Sequence, residues 1–453
     1  MDEYADAPRA KRLKVESDLA NDNIDESDDG ESTEYKLALL ASQFPDKSTD
    51  VLLDYVIAYG GNVKQVVHAI SGERESAKRK RVQPIARGHQ SSIASFTGTS
   101  KQEDGTFPGG AIGSLTKKGK TLHLFSPKDV ETHTPCSIIH NFLPSEAADA
   151  LLRELLDESS RYNRNEFQMF ERTVTSGHTW KLYVDTEDEV VRQQKGSAYD
   201  GSDAALNVKQ TTPELLKASS MVKDAVNKEV SRRTRDHQPD GKKLKFQSPD
   251  EWRPNAALVN CYDGPKEGMG FHTDTLTNIG PRPIIGSLSL GVARQFRVRR
   301  IVSKDDKRLA DEQGQIAIHL PHNSLLVMHA QMQEEWKHCI LPTATIDPHP
   351  IAGGRRLNVT YRYLKDFMEP QYTPRCKCGV SCVLRCVMKS SATRGRYMWQ
   401  CFADRSPGGT SCGHFVWAEF DEDGRPSWAE GYRGNVNVAN IAAGPEVKSP
   451  DCR

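Results

Sequence analysis

Phe271-His272-Thr273-Asp274, Trp336-Lys337-His338 and Arg356-Leu357-Asn358-Val359-Thr360-Tyr361-Arg362 are the pieces of sequence on which the reading of this chain turns. His272 and Asp274 stand two apart, so on an extended segment their side chains leave the same face. A further imidazole from His338 completes a two-histidine, one-carboxylate set. Three protein ligands leave coordination positions open, which suits an Fe(II) that holds a bidentate co-substrate and oxygen together; a structural zinc is closed by four. The last piece alternates as a strand does, with Leu357, Val359, Tyr361 and Tyr363 on one face and Arg356, Asn358, Thr360 and Arg362 on the other. A guanidinium is a planar fork matched to a carboxylate, so Arg356 suits the distal carboxylate of a dicarboxylic acid such as 2-oxoglutarate, with Asn358 beside it. Upstream, Asn260 and Tyr262 share a face and carry donors for the same ligand.

Together with Asn255, Asn260 and Tyr262, these motifs make Asn255 to Leu364 resemble the AlkB family of Fe(II)/2-oxoglutarate nucleic-acid demethylases. The resemblance implies that His272, Asp274 and His338 bind iron and that Asn260, Tyr262, Arg356 and Arg362 hold 2-oxoglutarate. It implies oxidative removal of N-methyl groups from 1-methyladenine and 3-methylcytosine in DNA, and it places Arg294 near the substrate mouth. His322 and His329 are read as ordinary strand or turn histidines. An RNA demethylase or protein hydroxylase on the same fold, and a non-catalytic adaptor joining ubiquitin to single strands, are the alternatives.

The fold class expected is α+β. After Trp252 the chain changes to short alternating runs punctuated by Gly and Pro, a pattern that suggests a double-stranded β-helix, or jelly roll, for a catalytic domain over residues 134–368; the AlkB resemblance implies the same fold. Ser145 to Leu156 and Pro213 to Arg232 read as helices. Between Arg161 and Gly201, Phe167, Phe170, Trp180 and Tyr183 are either base-stacking residues of a substrate lid or plain core.

The 453 residues carry 61 Lys and Arg against 61 Asp and Glu, and this neutrality averages opposed segments. Asp18 to Glu34 holds acids with no base, while Arg375 to Arg405 holds many bases and one acid. No apolar run approaches the length of a membrane span, so no membrane partner is expected. Six of the ten cysteines fall between Cys376 and Cys412, a clustering that fits a metal site better than a disulfide framework. Four thiolates close a tetrahedral Zn(II), and on the residues alone Cys382, Cys386 and His414 compete for one ligand place. Residues 372–421 resemble the GRF zinc finger, a single-stranded nucleic-acid binder. That resemblance implies Cys376, Cys378, Cys401 and Cys412 as the zinc ligands, and Lys389, Arg394 and Arg396 stand among the bases expected at phosphates.

The flanks carry expectations of recruitment. Residues 1–34 are an acidic, disordered tail whose Pro8 to Val15 cluster, with Lys78 to Arg81 further on, resembles a signal for the nucleus. Residues 35–72 show three apolar stripes at helical spacing and resemble the CUE and UBA class of ubiquitin-binding bundles, with Phe44-Pro45 in the place of the CUE Phe-Pro. Residues 73–133 form a linker in which Gln90, Ile93 and Phe96 have the spacing of the peptide that docks on the sliding clamp PCNA. Residues 422–453 are expected to be a disordered tail.

Overall fold

The computed structural model describes residues 120–434 except 170–171, 197–206, 304–313, 370 and 404–411, and scattered positions between 40 and 71. The chain divides into two compact units, Met1–Arg87 and Gly88–Arg453. In the first, Leu40, Phe44, Leu52, Val56, Val63, Val66 and Ile70 close a small core, and residues 65–71 are helical. The i, i+3, i+7 spacing of Val63, Val66 and Ile70 supplies one wall of it. Phe44 departs from expectation, because it is 3% exposed and packs inward where a partner-facing residue was predicted. Pro45, Gln90, Ile93, Phe96 and both basic clusters lie outside the described residues.

The second unit is built on two large sheets. Its strands are β1 (Thr121–Leu124), β2 (Cys136–Ile139), β3 (Asn163–Met169), β4 (Arg172–Val184), β5 (Val208–Gln210), β6 (Ala256–Asp263), β7 (Met269–His272), β8 (Ile285–Gly291), β9 (Arg294–Arg300), β10 (Gln315–Leu320), β11 (Ser324–Met328), β12 (Trp336–Ile340), β13 (Arg355–Arg362), β14 (Val383–Cys386), β15 (Tyr397–Gln400) and β16 (Phe415–Trp417). One sheet runs β1-β10-β9-β12-β7; the other runs β2-β11-β8-β13-β6-β4-β3 with β5 beside β4. Ile138, Ile285, Phe296, Val298, Ile316, Ile318, Leu326 and Met328, drawn from both sheets, form one core. Helices Ser145–Ser159 and Pro213–His237 cover the outer face of the larger sheet, with Leu151, Leu155, Leu215 and Val222 against Leu288, Val359 and Tyr361. The glycine at 291 has φ +81, and a Cβ there would run into the Arg355 carbonyl, so the turn from β8 into β9 requires the bare backbone.

Two boundaries differ from those read in the sequence. The linker expected to reach residue 133 is structured from Thr121: β1 pairs in parallel with β10, and helix Pro127–His133 starts with Ser126 accepting from the Asp129 amide. A four-residue strand joining a sheet edge carries too short a pattern to announce itself. At the other end, the chain beyond Glu422 is folded to Gly434. The Asp421 carboxylate accepts backbone N–H groups of Asp423, Arg425 and Arg433, and Trp428 Nε1 donates to the Phe367 carbonyl.

Candidate active site

The alternation of β13 and β6 divides their side chains between two environments. Leu357, Val359, Tyr361, Ala257, Val259 and Cys261 enter the core under the helices. The residues between them face the other sheet, and the register sets Asn358 opposite Asn260 and Arg356 opposite Tyr262. The smaller sheet supplies the imidazoles, since β12 pairs with β7 so that His338 lies directly opposite His272. Asp274 follows β7 by two residues. Ligand atoms of His272, Asp274 and His338 lie within 4.8 Å of one another.

The polar contacts around this cluster fix each group. Asp274 Oδ1 faces both rings, 3.5 Å from His338 Nε2 and 3.7 Å from His272 Nε2. Its Oδ2 accepts from Arg362 Nε and Nη2 at 3.0 and 2.6 Å. Burial alone would raise the Asp274 carboxyl, yet Arg362 and the two imidazoles hold it far below the usual carboxylate range. His272 Nδ1 lies 2.8 Å from the Gly270 carbonyl, so it donates there and leaves Nε2 with its lone pair toward Asp274. Desolvation, with His338 beside it, pushes His272 down to about 3, so it stands neutral as a ligand must. Phe296 stacks on the His338 ring at 5.2 Å.

Arg356 is 1% exposed. Its Nη2 donates to Ser289 Oγ and Asn358 Oδ1, while Nε and Nη1 are buried with no acceptor among the described residues. A buried guanidinium short of acceptors is costly, and burial pushes it down to about 10. An anionic ligand would relieve that cost. Two imidazoles with a carboxylate on one side, and an underbonded guanidinium on the same inner face, thus fit Fe(II) and a dicarboxylate co-substrate. Asn260 is held by His178, whose Nε2 lies 3.1 Å from Asn260 Oδ1 and whose ring stacks on Tyr262 at 4.9 Å.

The other residues singled out in the sequence take the following places. Arg362, expected at 2-oxoglutarate, donates through Nε and Nη2 to Asp274 Oδ2 and so lies against the metal-ligand cluster. Arg294, expected at the substrate mouth, is 3% exposed and donates to the carbonyls of Gly264, Glu267 and Leu341. Its side chain is a backbone clamp, and the motif around it could not show that its donors were taken. Tyr183 is wholly buried between Tyr162 and Glu158, so it belongs to the core. His329 is buried on Ser137 and His322 accepts from the Gly291 amide, both apart from the cluster. His178, Ser289 and Gln333, whose Oε1 accepts from the Asp274 amide at 2.8 Å, were not foreseen. Parity along β4, where Trp180 pairs with Asn260, was the signal available for His178.

Cys376, Cys378, Cys401 and Cys412 form the second cluster of close ligand atoms, with Sγ separations of 3.1 Å between Cys376 and Cys412 and 3.6 Å between Cys378 and Cys401. Cys382, Cys386 and His414 are outside it. Strands β14, β15 and β16 form a small sheet beside it. Tyr397 and Trp399 are core, whereas Phe415 and Trp417 are 49% and 38% exposed, with the Arg396 guanidinium 3.7 Å from the Trp417 ring centre. Lys389 is exposed. Arg394, expected at a phosphate, donates to the carbonyls of Met388 and Ile301 and to Ser303 Oγ.

Residues 135–362, half of the chain, match the 2OG-Fe(II) oxygenase superfamily. Similar curated proteins include alpha-ketoglutarate-dependent dioxygenase alkB homolog 3 of Bos taurus, 32% identical over 108 residues that cover 24% of this chain and 36% of that protein. The Homo sapiens protein of the same name is 29% identical over 120 residues, 26% of this chain and 39% of its own. DNA oxidative demethylase ALKBH2 of Arabidopsis thaliana is 31% identical over 124 residues, 24% and 38% respectively. The chain therefore spans well under half the length of these relatives. A solved structure described as "The structure of OsALKBH1" is 18% identical with a TM-score of 0.32, over 51% of this chain and 98% of that one.

Proposed function

The chain belongs to the 2OG-Fe(II) oxygenase superfamily, and from that premise we propose that residues 134–368 carry an Fe(II)/2-oxoglutarate dioxygenase that oxidatively demethylates N-alkylated bases in DNA. The observation that carries the reading is the pairing of a three-ligand cluster with Arg356, whose buried Nε and Nη1 have no acceptor. His272, Asp274 and His338 would hold the metal, Arg362 keeps Asp274 ionised and oriented, and Arg356 with Asn358, Asn260 and Tyr262 would hold the co-substrate. Bound there, iron and 2-oxoglutarate would supply oxygen activation coupled to decarboxylation, the chemistry needed to hydroxylate the N-methyl carbon of a substrate. That carbon then leaves as formaldehyde. The relatives named as alkB homologue dioxygenase and DNA oxidative demethylase support a methylated nucleic acid as substrate. A base with a blocked pairing edge costs less to turn out of a duplex, which favours 1-methyladenine and 3-methylcytosine.

The four-cysteine cluster is proposed to hold Zn(II), and the exposed Phe415, Trp417 and Arg396 to stack on and pair with an unpaired strand. Residues 35–72 are proposed as a ubiquitin-directed bundle, residues 90–96 as a PCNA peptide, and the basic clusters as nuclear targeting. Each follows from sequence resemblance. Incubation with Fe(II), 2-oxoglutarate and methylated DNA and RNA oligonucleotides, read by mass spectrometry, tests the central reading: formaldehyde and repaired DNA base are expected, and turnover only on RNA or protein would replace it.

A further inference from the structure

The cysteine-rich unit is joined to the iron-site loop through its own core. Leu276, two residues beyond Asp274, is 5% exposed and lies in one hydrophobic cluster with Cys376, Leu384, Trp399 and Cys401. Its neighbour Thr277 is 1% exposed, and Thr277 Oγ1 accepts the Leu384 amide of β14 at 3.1 Å. A second connection runs through Gln333 and Glu334. Gln333 Oε1 accepts the Asp274 amide, and Glu334 Oε1 accepts both the Arg282 amide at 2.7 Å and the Tyr397 hydroxyl of β15 at 3.0 Å. Glu334 is 2% exposed, so the Tyr397 hydroxyl is one of the few partners that its buried carboxylate has. The segment that carries Asp274 therefore meets residues 376–401 directly at Leu276 and Thr277, and indirectly through Glu334, the chain neighbour of the Gln333 that holds the Asp274 amide.

We propose that the cysteine-rich unit is a brace for the iron site, with Thr277 and Tyr397 as positioning residues that hold the Asp274–Ile279 segment in its ligating geometry. This goes beyond a strand-binding tether, and it rests on the iron reading of His272, Asp274 and His338. A tether could be cut away without effect on the metal site, whereas a brace could not. The mechanism needs no contact between the two clusters: a loop that carries a ligand is only as well placed as the groups its neighbours pack against, and such supporting partners commonly change metal affinity by about 10- to 100-fold.

The test uses the full chain throughout. Thr277→Val removes the acceptor of the Leu384 amide at nearly constant volume, Thr277→Ser restores it, and Tyr397→Phe removes one hydroxyl. Anaerobic Fe(II) affinity by equilibrium dialysis and amide exchange at residues 274–279 are measured with zinc content as the control. The expected result is about tenfold weaker Fe(II) binding and faster exchange in Thr277→Val and Tyr397→Phe, with zinc content unchanged and Thr277→Ser close to wild type. Cys401→Ser, which opens the four-sulfur cluster, should weaken Fe(II) binding at least as much. Wild-type Fe(II) affinity and exchange in Thr277→Val, Tyr397→Phe and Cys401→Ser would overturn the brace while leaving the iron reading intact. A wild-type chain that takes up no Fe(II) would overturn the iron reading and the brace with it.

Discussion

The His272–Asp274–His338 cluster takes its ligands from two paired strands and the loop that follows one of them, while the Cys376–Cys378–Cys401–Cys412 cluster takes all of its ligands from 37 consecutive positions, 376 to 412. Three donors leave an ion open to other ligands, so everything that keeps them in place must come from outside the set: Arg362 on Asp274, the Gly270 carbonyl on His272, Gln333 on the Asp274 amide. Four thiolates need no such help, and two of them, Cys378 and Cys412, are exposed. The contrast sets a three-donor cluster held in place by the groups around it against a four-donor cluster gathered from one short stretch of chain.

The largest effect should come from breaking the open site itself. Asp274→Ala removes one of three ligands and leaves the Arg362 guanidinium facing two imidazoles. Fe(II) uptake should fall at least about 100-fold and 2-oxoglutarate turnover should be lost, with far-ultraviolet circular dichroism unchanged. Near-wild-type iron content in this variant would show that the cluster is not the metal site.

Next comes the guanidinium. Arg356→Ala takes away a charge-assisted carboxylate grip and no metal ligand, so the KM for 2-oxoglutarate should rise about 10- to 100-fold, from ~1.5–3 kcal/mol for a hydrogen bond to a charged group. Fe(II) affinity should change little. A KM within twofold of wild type would move the co-substrate clamp elsewhere.

Much of the open site was legible before any coordinates, and the reason is periodicity. A two-residue alternation decides which side chains share a face, so the positions of Arg356, Asn358 and Arg362 on one side of β13 followed from counting. Counting could not say which acceptor each arginine meets, because that depends on strands far apart in sequence. Arg362 reaches Asp274 across 88 positions, and Arg294 spends its donors on three carbonyls from two loops. The same limit explains Phe44, whose motif resembles a surface signature while its side chain closes a seven-residue core. The cysteine cluster was legible for the opposite reason, since its ligands are close in sequence. The docking of that unit through Leu276 and Tyr397 was not.

Opening the second cluster should have a smaller effect on turnover than either change above, but a sharper one on metal content. Cys401→Ser should take zinc from one per chain to none and lower the unfolding temperature of residues 372–434, because a lost structural metal is lost folding energy. Full zinc content in this variant would return Cys382, Cys386 and His414 to contention as ligands.

The smallest expected effect concerns the exposed side of the closed site, and it distinguishes a unit that only lends rigidity from one that also holds a strand. Phe415 and Trp417 meet edge to face at 5.6 Å with Arg396 lying over Trp417, so cation and aromatic surface are presented together. With Arg394 committed to carbonyls, Arg396 and Lys389 are the bases of this group left for phosphate. Arg396→Ala should weaken single-strand binding about 3- to 10-fold and flatten the log-log salt dependence by ~0.7, the value for one phosphate contact on a single strand. Trp417→Ala should weaken binding by a similar factor and leave the salt slope unchanged, because stacking releases no counterion. Zinc content should be untouched in both. If neither variant changes single-strand affinity, the exposed aromatics are no binding surface, and the comparison of the two clusters reduces to chemistry on one side and support on the other.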